Sequence, residues 1–291
     1  MARKYSVVST KGGTGKSTST TNLGALLADA GIRVLIIDLD PVQPTSSSYY
    51  PLIHEAPGGI YDLLALNVTA PERIISKTSI RNLDVIVSND DNNQLGGLLL
   101  QAPDGRLRLA NLMDQFDNDY DVILIDTQGA RSVVLEMVIL ASDVAISPLP
   151  PNMLAAREFN RGTMQMLDGM RVYSRLGMKL PPVKIVINDM EDTVDSWSIY
   201  ESLIEIFADH PEISLTNTIV PHSTIFRKAA TLGLPAHRFE YRQPSNRKSP
   251  CALAVFRQLA QELFPEFREQ LEGLTEERVA QLVRVAKGEQ A

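Results

Sequence analysis

A chain of 291 residues, 44% of them hydrophobic, is long enough for one large α/β domain or two small ones and can bury a sizeable core. No run approaches the ~20 apolar residues that cross a bilayer, and Met-Ala-Arg-Lys leads straight into an apolar strand, so neither a span nor a secretory leader is expected and the chain is read as cytoplasmic. The single cysteine, Cys251, excludes a disulfide framework and any multi-cysteine metal or iron–sulfur site within one chain, and a net charge of −7 argues against wholesale nucleic-acid binding.

In chain order, short apolar runs alternate with helical segments, the pattern of βαβ units around a mostly parallel sheet. Tyr5–Ser9 reads as the first strand, and Lys11-Gly12-Gly13-Thr14-Gly15-Lys16-Ser17-Thr18 follows it directly into a helix over Lys16–Ala30, stopped by Gly31. Glycines let successive backbone N–H groups turn inward as an anion nest, and the helix adds its positive end. In such a loop Lys16 reaches the β- and γ-phosphates of a nucleotide and the Ser17 hydroxyl holds Mg²⁺. The usual motif has a glycine where Thr10 stands here, and Lys11 is an extra lysine at the start of the loop.

The next strand, Val34–Asp38, ends in Asp38-Leu39-Asp40-Pro41, two alternating acids at the edge where open α/β sheets bind ligands. One of them is placed to orient an attacking or metal-bound water. A strand over Leu83–Ser88 and a helix over Leu107–Phe116 precede Val122–Asp126, an apolar strand closed by an acid in the manner of a Walker B element, with Gly129 just beyond. A helix over Ser132–Ala141, a strand over Val144–Ser147 and a proline-rich corner at Pro148–Pro151 come next. A long helix over Leu154–Leu176 and a strand over Val183–Asn188 follow, then a helix over Val194–Asp209 and a strand over Thr218–Val220. Asn188 and Pro221 mark two strand ends and are candidates for contact with a base. Helices over Pro250–Leu263 and around Thr275–Lys287 finish the chain, the last with Glu276 and Glu277 near its start and Lys287 near its end, as its dipole favours.

With no linker and no repeat, the sequence is read as a single P-loop domain over residues 1–264, a mostly parallel twisted sheet covered by helices on both faces. A C-terminal helical extension over 265–291 is expected to pack on that domain or on a partner. Charge is segregated along it. Asp189 to Glu212 holds eight acids and no Lys or Arg. His222 to Arg257 holds seven Lys/Arg against Glu240 alone, which suggests an anionic partner for one face.

Together these residues resemble the ParA/MinD group of deviant Walker ATPases, and more closely its DNA-partitioning, Soj-like ParA branch. The resemblance runs from Tyr5 to about Leu263. Its anchors are Lys11–Thr18, Asp38-Leu39-Asp40-Pro41, Asp121–Asp126, and Val220-Pro221 followed by Phe226 to Pro235. It implies a magnesium-dependent ATPase in which Lys11 reaches across a nucleotide-sandwich homodimer to the partner's phosphates, Lys16 binds phosphate in cis and Ser17 ligates Mg²⁺. Asp40 would position the water beside the metal, Asp126 would sit in the magnesium second shell, and Asn188 and Pro221 would touch adenine. The ATP dimer would bind double-stranded DNA without sequence preference, associating with the nucleoid, and a ParB-like centromere-binding partner would stimulate slow hydrolysis. Arg227, Lys228, Arg238, Arg242, Arg247 and Lys248 are the candidate DNA contacts.

Three places depart from the family pattern: Val42-Gln43-Pro44 stands for Gln-Gly, Thr127-Gln128-Gly129-Ala130 for the proline-rich Walker B flank, and His222 for an arginine. Two alternatives share the fold. A MinD-like membrane ATPase would need an amphipathic basic anchor, whereas Thr275–Lys287 offers Val279, Leu282, Val283 and Ala286 with as many acids as bases, so no membrane partner is expected. A metabolic or metallocentre enzyme would need cysteines or a substrate pocket, and Cys251 stands alone.

Overall fold

The computed structural model describes residues 1–245, 247 and 249–287, so Lys248 lies outside the described residues. Apolar runs without alternation form the centre of one nine-stranded sheet. Its strands are β1 (Arg3–Val7), β2 (Val34–Leu39), β3 (Leu52–His54), β4 (Ser76–Thr78), β5 (Leu83–Ile86), β6 (Val122–Thr127), β7 (Val144–Leu149), β8 (Val183–Ile187) and β9 (Ile213–Leu215). The order is β3-β4-β5-β2-β6-β1-β7-β8-β9, and every pairing is parallel except β3–β4 and β4–β5. All six residues of β2 and of β6 are buried, as strands covered on both faces require.

Alternate residues of one strand serve opposite layers. Val34 and Ile36 pack with Leu23, Leu26 and Leu27 of the helix Lys16–Asp29 and with Phe256, Leu259 and Leu263 of the helix Ala252–Leu263. Leu35 and Ile37 face the other side, against Leu63, Leu99, Met113 and Met137. β1 lies between β6 and β7, so the chain leaves it at the point where the connections diverge to the two sides of the sheet, which is where open α/β sheets place ligands.

Three features differ from expectation. The strand beside β8 is Ile213–Leu215, while Thr218–Val220 lies outside the named strands, with Val220 N–H on the Ile187 carbonyl (2.9 Å) and the Val220 carbonyl accepting from Met190 N–H (3.0 Å). The edge of β8 is interrupted at Asp189, whose φ of 62° is left-handed, and the pairing resumes only as a single bridge between Met190 and Pro221. The hairpin strands β3 and β4 have three residues each, too few for a period of two to show. The helix expected over Leu154–Leu176 changes winding along its length: α over Met153–Glu158, π over Phe159–Met164, α over Gln165–Met170 and 3₁₀ over Arg171–Leu176. The π turn lies where Gly162 presses on Thr10, so closely that any side chain there would overlap the threonine hydroxyl.

The chain after Leu263 returns to the sheet. Phe264 meets the Tyr5 ring edge-on at 4.5 Å, and Leu271, Leu274 and Val279 are fully buried in the same core. The helix Glu276–Ala286 starts at Thr275, whose hydroxyl accepts from Arg278 N–H, and its Leu282 and Val283 pack against that core. Its apolar stripe is thus turned toward its own domain.

Candidate functional site

The loop after β1 has the shape an anion needs. Gly13 (φ 74°) and Gly15 (φ 91°) are in the left-handed region that only glycine enters cheaply. The helix begins at Lys16 with no acid in its first turn, so its N–H groups stay available. Glycines 12, 13 and 15 line a cleft of about 400 Å³ with Lys16, Ser17, Thr18, Asp40, Gln128 and Gly129. Lys16 is buried, with Nζ 3.4 Å from the Lys11 carbonyl. Burial holds its ammonium below the usual lysine range, against the opposing pull of Asp126 and Asp40. Lys11 begins the loop but does not line the cleft of its own chain.

The register of β2 with β6 sets Asp38 beside Asp126 at the strand tips. Asp38 accepts from Asp40 N–H (3.0 Å), Ser47 N–H (2.7 Å) and Ser47 Oγ (2.8 Å). Asp126 accepts from Ser46 Oγ (2.7 Å) and Thr127 N–H. Burial, then the Asp126 charge, pushes Asp38 up to about 7. Burial also raises Asp126, against the pull of the Ser17 and Ser46 hydroxyls and the Lys16 charge, so the two carboxyls titrate as one pair that holds a proton above the usual carboxylate range. Sequence reading missed Ser46 and Ser47; the serine run after Pro44 was the available signal, and only the fold shows which strand it caps.

This donor set fits a hard divalent cation: a hydroxyl at Ser17 and carboxylate oxygens at Asp40 and Asp126. Among the described residues no group of three or more His, Cys, Asp or Glu could hold a metal ion. Magnesium would therefore be held jointly with phosphate oxygens, as it commonly is in nucleotide sites. Asp40 Oδ1 accepts from the N–H groups of Val42 (3.0 Å) and Gln43 (2.9 Å), which ties its carboxylate to the loop that follows β2.

Gly129 brings the end of β6 onto the phosphate loop: a Cβ there would stand 2.6 Å from Gly12 N. Asn188 supports the loop from the other side, its Nδ2 donating to the Thr14 carbonyl at 2.9 Å and packing where a side chain at residue 15 would go. Pro221 is brought near by an isolated bridge to Met190, and Asp189 pairs with His222 at 2.7 Å just beyond. The expected residues Lys16, Ser17, Asp40, Asp126 and Asn188 thus converge on one loop.

Two of the basic residues expected at a DNA surface are paired within the chain. Arg238 binds Asp29 with both arms, Nε at 2.7 Å and Nη2 at 2.5 Å, and His237 Nε2 reaches the same carboxylate at 2.8 Å. Burial pushes Asp29 up, but Arg238 and His237 outweigh it and hold the carboxyl below its usual range. Arg247 is held by Glu240 (2.6 Å) and the carbonyls of Ser249 and Pro250. Both arginines were expected at a DNA surface; the structure engages them in ion pairs inside the chain. Arg227 and Lys228, on the helix Ile225–Thr231, and Arg242, stacked over Tyr241 at 5.4 Å, are exposed.

A family profile described as an AAA domain matches residues 2–173. The chain is 26% identical over 241 residues to the sporulation initiation inhibitor protein Soj of Bacillus subtilis, covering 81% of this chain and 90% of that one. It is 28% identical over 242 residues to the chromosome-partitioning ATPase Soj of Treponema pallidum, covering 82% and 91%. Among solved structures, a Cyanothece McdA variant in complex with ATP superposes with a TM-score of 0.69 at 19% identity, covering 100% of this chain and 98% of that one. The septum site-determining protein MinD of Pyrococcus horikoshii with Mg-ADP gives 0.67 at 20% identity, covering 93% and 99%. At these identities the superpositions speak for the fold.

Proposed function

The chain belongs to the ParA/MinD family of P-loop ATPases, and from that premise we propose that it is a ParA-type partitioning ATPase that uses ATP to switch its affinity for DNA. The observation that carries this reading is the placement of the two lysines. Lys16 occupies the cleft, while Lys11, on the same loop, stays out of its own cleft's lining. The family resemblance implies that a lysine at the position of Lys11 reaches a partner's phosphates, and on that basis the complete site is a homodimer closed over nucleotide. The names of similar chains, a chromosome-partitioning ATPase and the cell division protein PomZ of Myxococcus xanthus, support a partitioning or positioning role.

In this reading the loop amides of residues 12–16 and Lys16 bind the phosphates, Ser17 holds magnesium with Asp126 behind it, and Asn188 and Pro221 border the adenine. Magnesium supplies charge neutralisation at the phosphate oxygens. Asp40, fixed by Val42 and Gln43, orients the attacking water. Residues 1–264 are the ATPase domain and 265–291 a C-terminal extension, whose described part, up to residue 287, braces it. The dimer binds double-stranded DNA through Arg227, Lys228 and Arg242 of each copy. Two weak patches presented together act as one site of much higher avidity. A ParB-like partner accelerates hydrolysis and so releases a protein associated with the nucleoid.

The test is binding to a non-specific duplex with no nucleotide, ADP, ATP or a slowly hydrolysed analogue, at two salt concentrations. Binding that appears with ATP and weakens with salt is expected. Dimerisation by ATP with no DNA binding in any state would overturn the DNA reading.

A further inference from the structure

The tip of β6 carries a side chain that the proline-rich family pattern does not supply. Gln128 lines the phosphate cleft together with Asp40, Lys16 and Ser17. It also lines a neighbouring cavity of about 300 Å³ at the tips of β2 and β6, so it stands in the wall between the two spaces. The backbone beneath it is fixed. Thr127, fully buried, donates its hydroxyl to the Val7 carbonyl at 3.0 Å, and Ala130 N–H donates to the Gln128 carbonyl at 2.9 Å. The Gln128 side-chain amide takes part in neither bond. It offers an acceptor and two donors at the rim of a cleft whose carboxylate, Asp40, already has Oδ1 committed to Val42 and Gln43.

We propose that Gln128 is a second water-orienting residue for ATP hydrolysis, paired with Asp40; this rests on the reading of the cleft as an ATPase site. The Gln128 side-chain carbonyl accepts a hydrogen bond from the nucleophilic water and its NH₂ group donates to a γ-phosphate oxygen, while Asp40 Oδ2 accepts the water's other hydrogen. The water oxygen bonds to the γ-phosphorus, the bond from that phosphorus to the β–γ bridging oxygen breaks, and ADP leaves with the electron pair. The water's proton ends on the phosphate product, and the amide neither gains nor loses one. Such interactions tighten only as the phosphoryl group transfers, so they act on turnover and leave ground-state binding alone. A proline at this position would offer neither hydrogen bond.

The test compares the full-length wild type with Gln128→Ala and Gln128→Glu, measuring ADP affinity, affinity for ADP with tetrafluoroaluminate and magnesium, thermal melting, and single-turnover hydrolysis. Gln128→Ala is expected to slow hydrolysis by about 10- to 100-fold and to weaken the tetrafluoroaluminate complex by a similar factor, with ADP affinity and melting unchanged. Gln128→Glu keeps an acceptor but loses the donor and adds a charge facing phosphate, so it should lose the tetrafluoroaluminate complex at least as fully. Hydrolysis within twofold of wild type in Gln128→Ala, or equal losses of ADP and tetrafluoroaluminate binding, overturns the assignment. A wild-type chain that binds the tetrafluoroaluminate complex no better than ADP overturns the ATPase reading and this assignment with it.

Discussion

Arg238 closes on Asp29 across two helices, with both guanidinium arms on one carboxylate whose side chain is only 2% exposed. The pair joins the far end of the phosphate-loop helix Lys16–Asp29 to the helix Ala236–Phe239, and His237 completes it from the same turn. Removing one member leaves the other charged and dry. Arg238→Ala should therefore lower stability by about 3 kcal/mol, read as a drop in denaturation midpoint at unchanged slope. Whatever DNA binding remains should change only in proportion to the folded fraction. A variant of wild-type stability that loses DNA binding selectively would restore Arg238 to the DNA surface.

The exposed cations behave in the opposite way. Charge reversal at Arg227, Lys228 or Arg242 should leave melting and nucleotide affinity within error, because none of the three is buried. Each DNA phosphate that is no longer neutralised should reduce the slope of log affinity against log salt by about 0.9. Filter binding or anisotropy over a salt series measures that slope. Unchanged slopes in all three variants would place the DNA face elsewhere.

Most of the central sheet was legible because its strands are unbroken Val/Ile/Leu runs, and the phosphate loop because its spacing has few other uses. Much of the rest depended on register. Asp38 and Asp126 lie 88 residues apart in sequence, and that they share one proton follows only from the pairing of β2 with β6. Ser46 and Ser47 look like an ordinary polar run until the chain folds them over those acids. The basic stretch looked uniform because composition cannot show that Asp29, some 200 residues earlier, and Glu240 had taken Arg238 and Arg247. The strand expected at Thr218–Val220 failed for a local reason: Asp189, in the left-handed region, breaks the edge of β8 that it would have paired with.

The acid pair gives the protein a pH dependence of definite sign. In the folded chain Asp38 keeps its proton up to about 7, whereas in the unfolded chain it releases it near the ordinary value of about 3.9. Between those values the folded state binds more protons, so this group's contribution to stability falls as pH rises through the window and stays lost above it. Asp38→Asn removes the Asp38 titration and the repulsion it shares with Asp126. The melting temperature of the variant minus that of wild type, without nucleotide, should climb from pH 4 to pH 7 and level off above it. A flat difference would mean that the two carboxylates do not share a proton.

Hydrolysis and binding should separate at two positions. Lys16→Ala removes the ammonium that lines the cleft and should abolish ATP binding. Asp40→Ala leaves the phosphate loop intact and should bind ATP near wild-type affinity while slowing turnover by about 100-fold or more, which prolongs the ATP dimer and its residence on DNA. Size-exclusion chromatography with ATP and a dissociation time course from DNA report the two effects. If Asp40→Ala turns over normally, the water is positioned by another group.

Gly129 tests whether the phosphate loop tolerates displacement. Its neighbours are backbone atoms, Gly12 N at 2.6 Å and both Gly12 Cα and the Lys11 carbonyl carbon at 2.7 Å from an added Cβ, so no flexible side chain can yield. The loop itself must move, and a shift of a few tenths of an ångström misaims the amides that a phosphate requires. Gly129→Ala should therefore weaken ATP binding by about 10-fold or more, with a modest change in melting. Gly97→Ala is the internal control: it sits in the helix Leu95–Gln101 with nothing within 4 Å of the new methyl, and it should be neutral or stabilising by up to about 1 kcal/mol. Equal effects of the two substitutions would show that the close approach of Gly129 to the loop carries no functional weight. A selective loss at Gly129 would instead make the β6 tip, with Gln128 beside it, the element that senses what the loop holds.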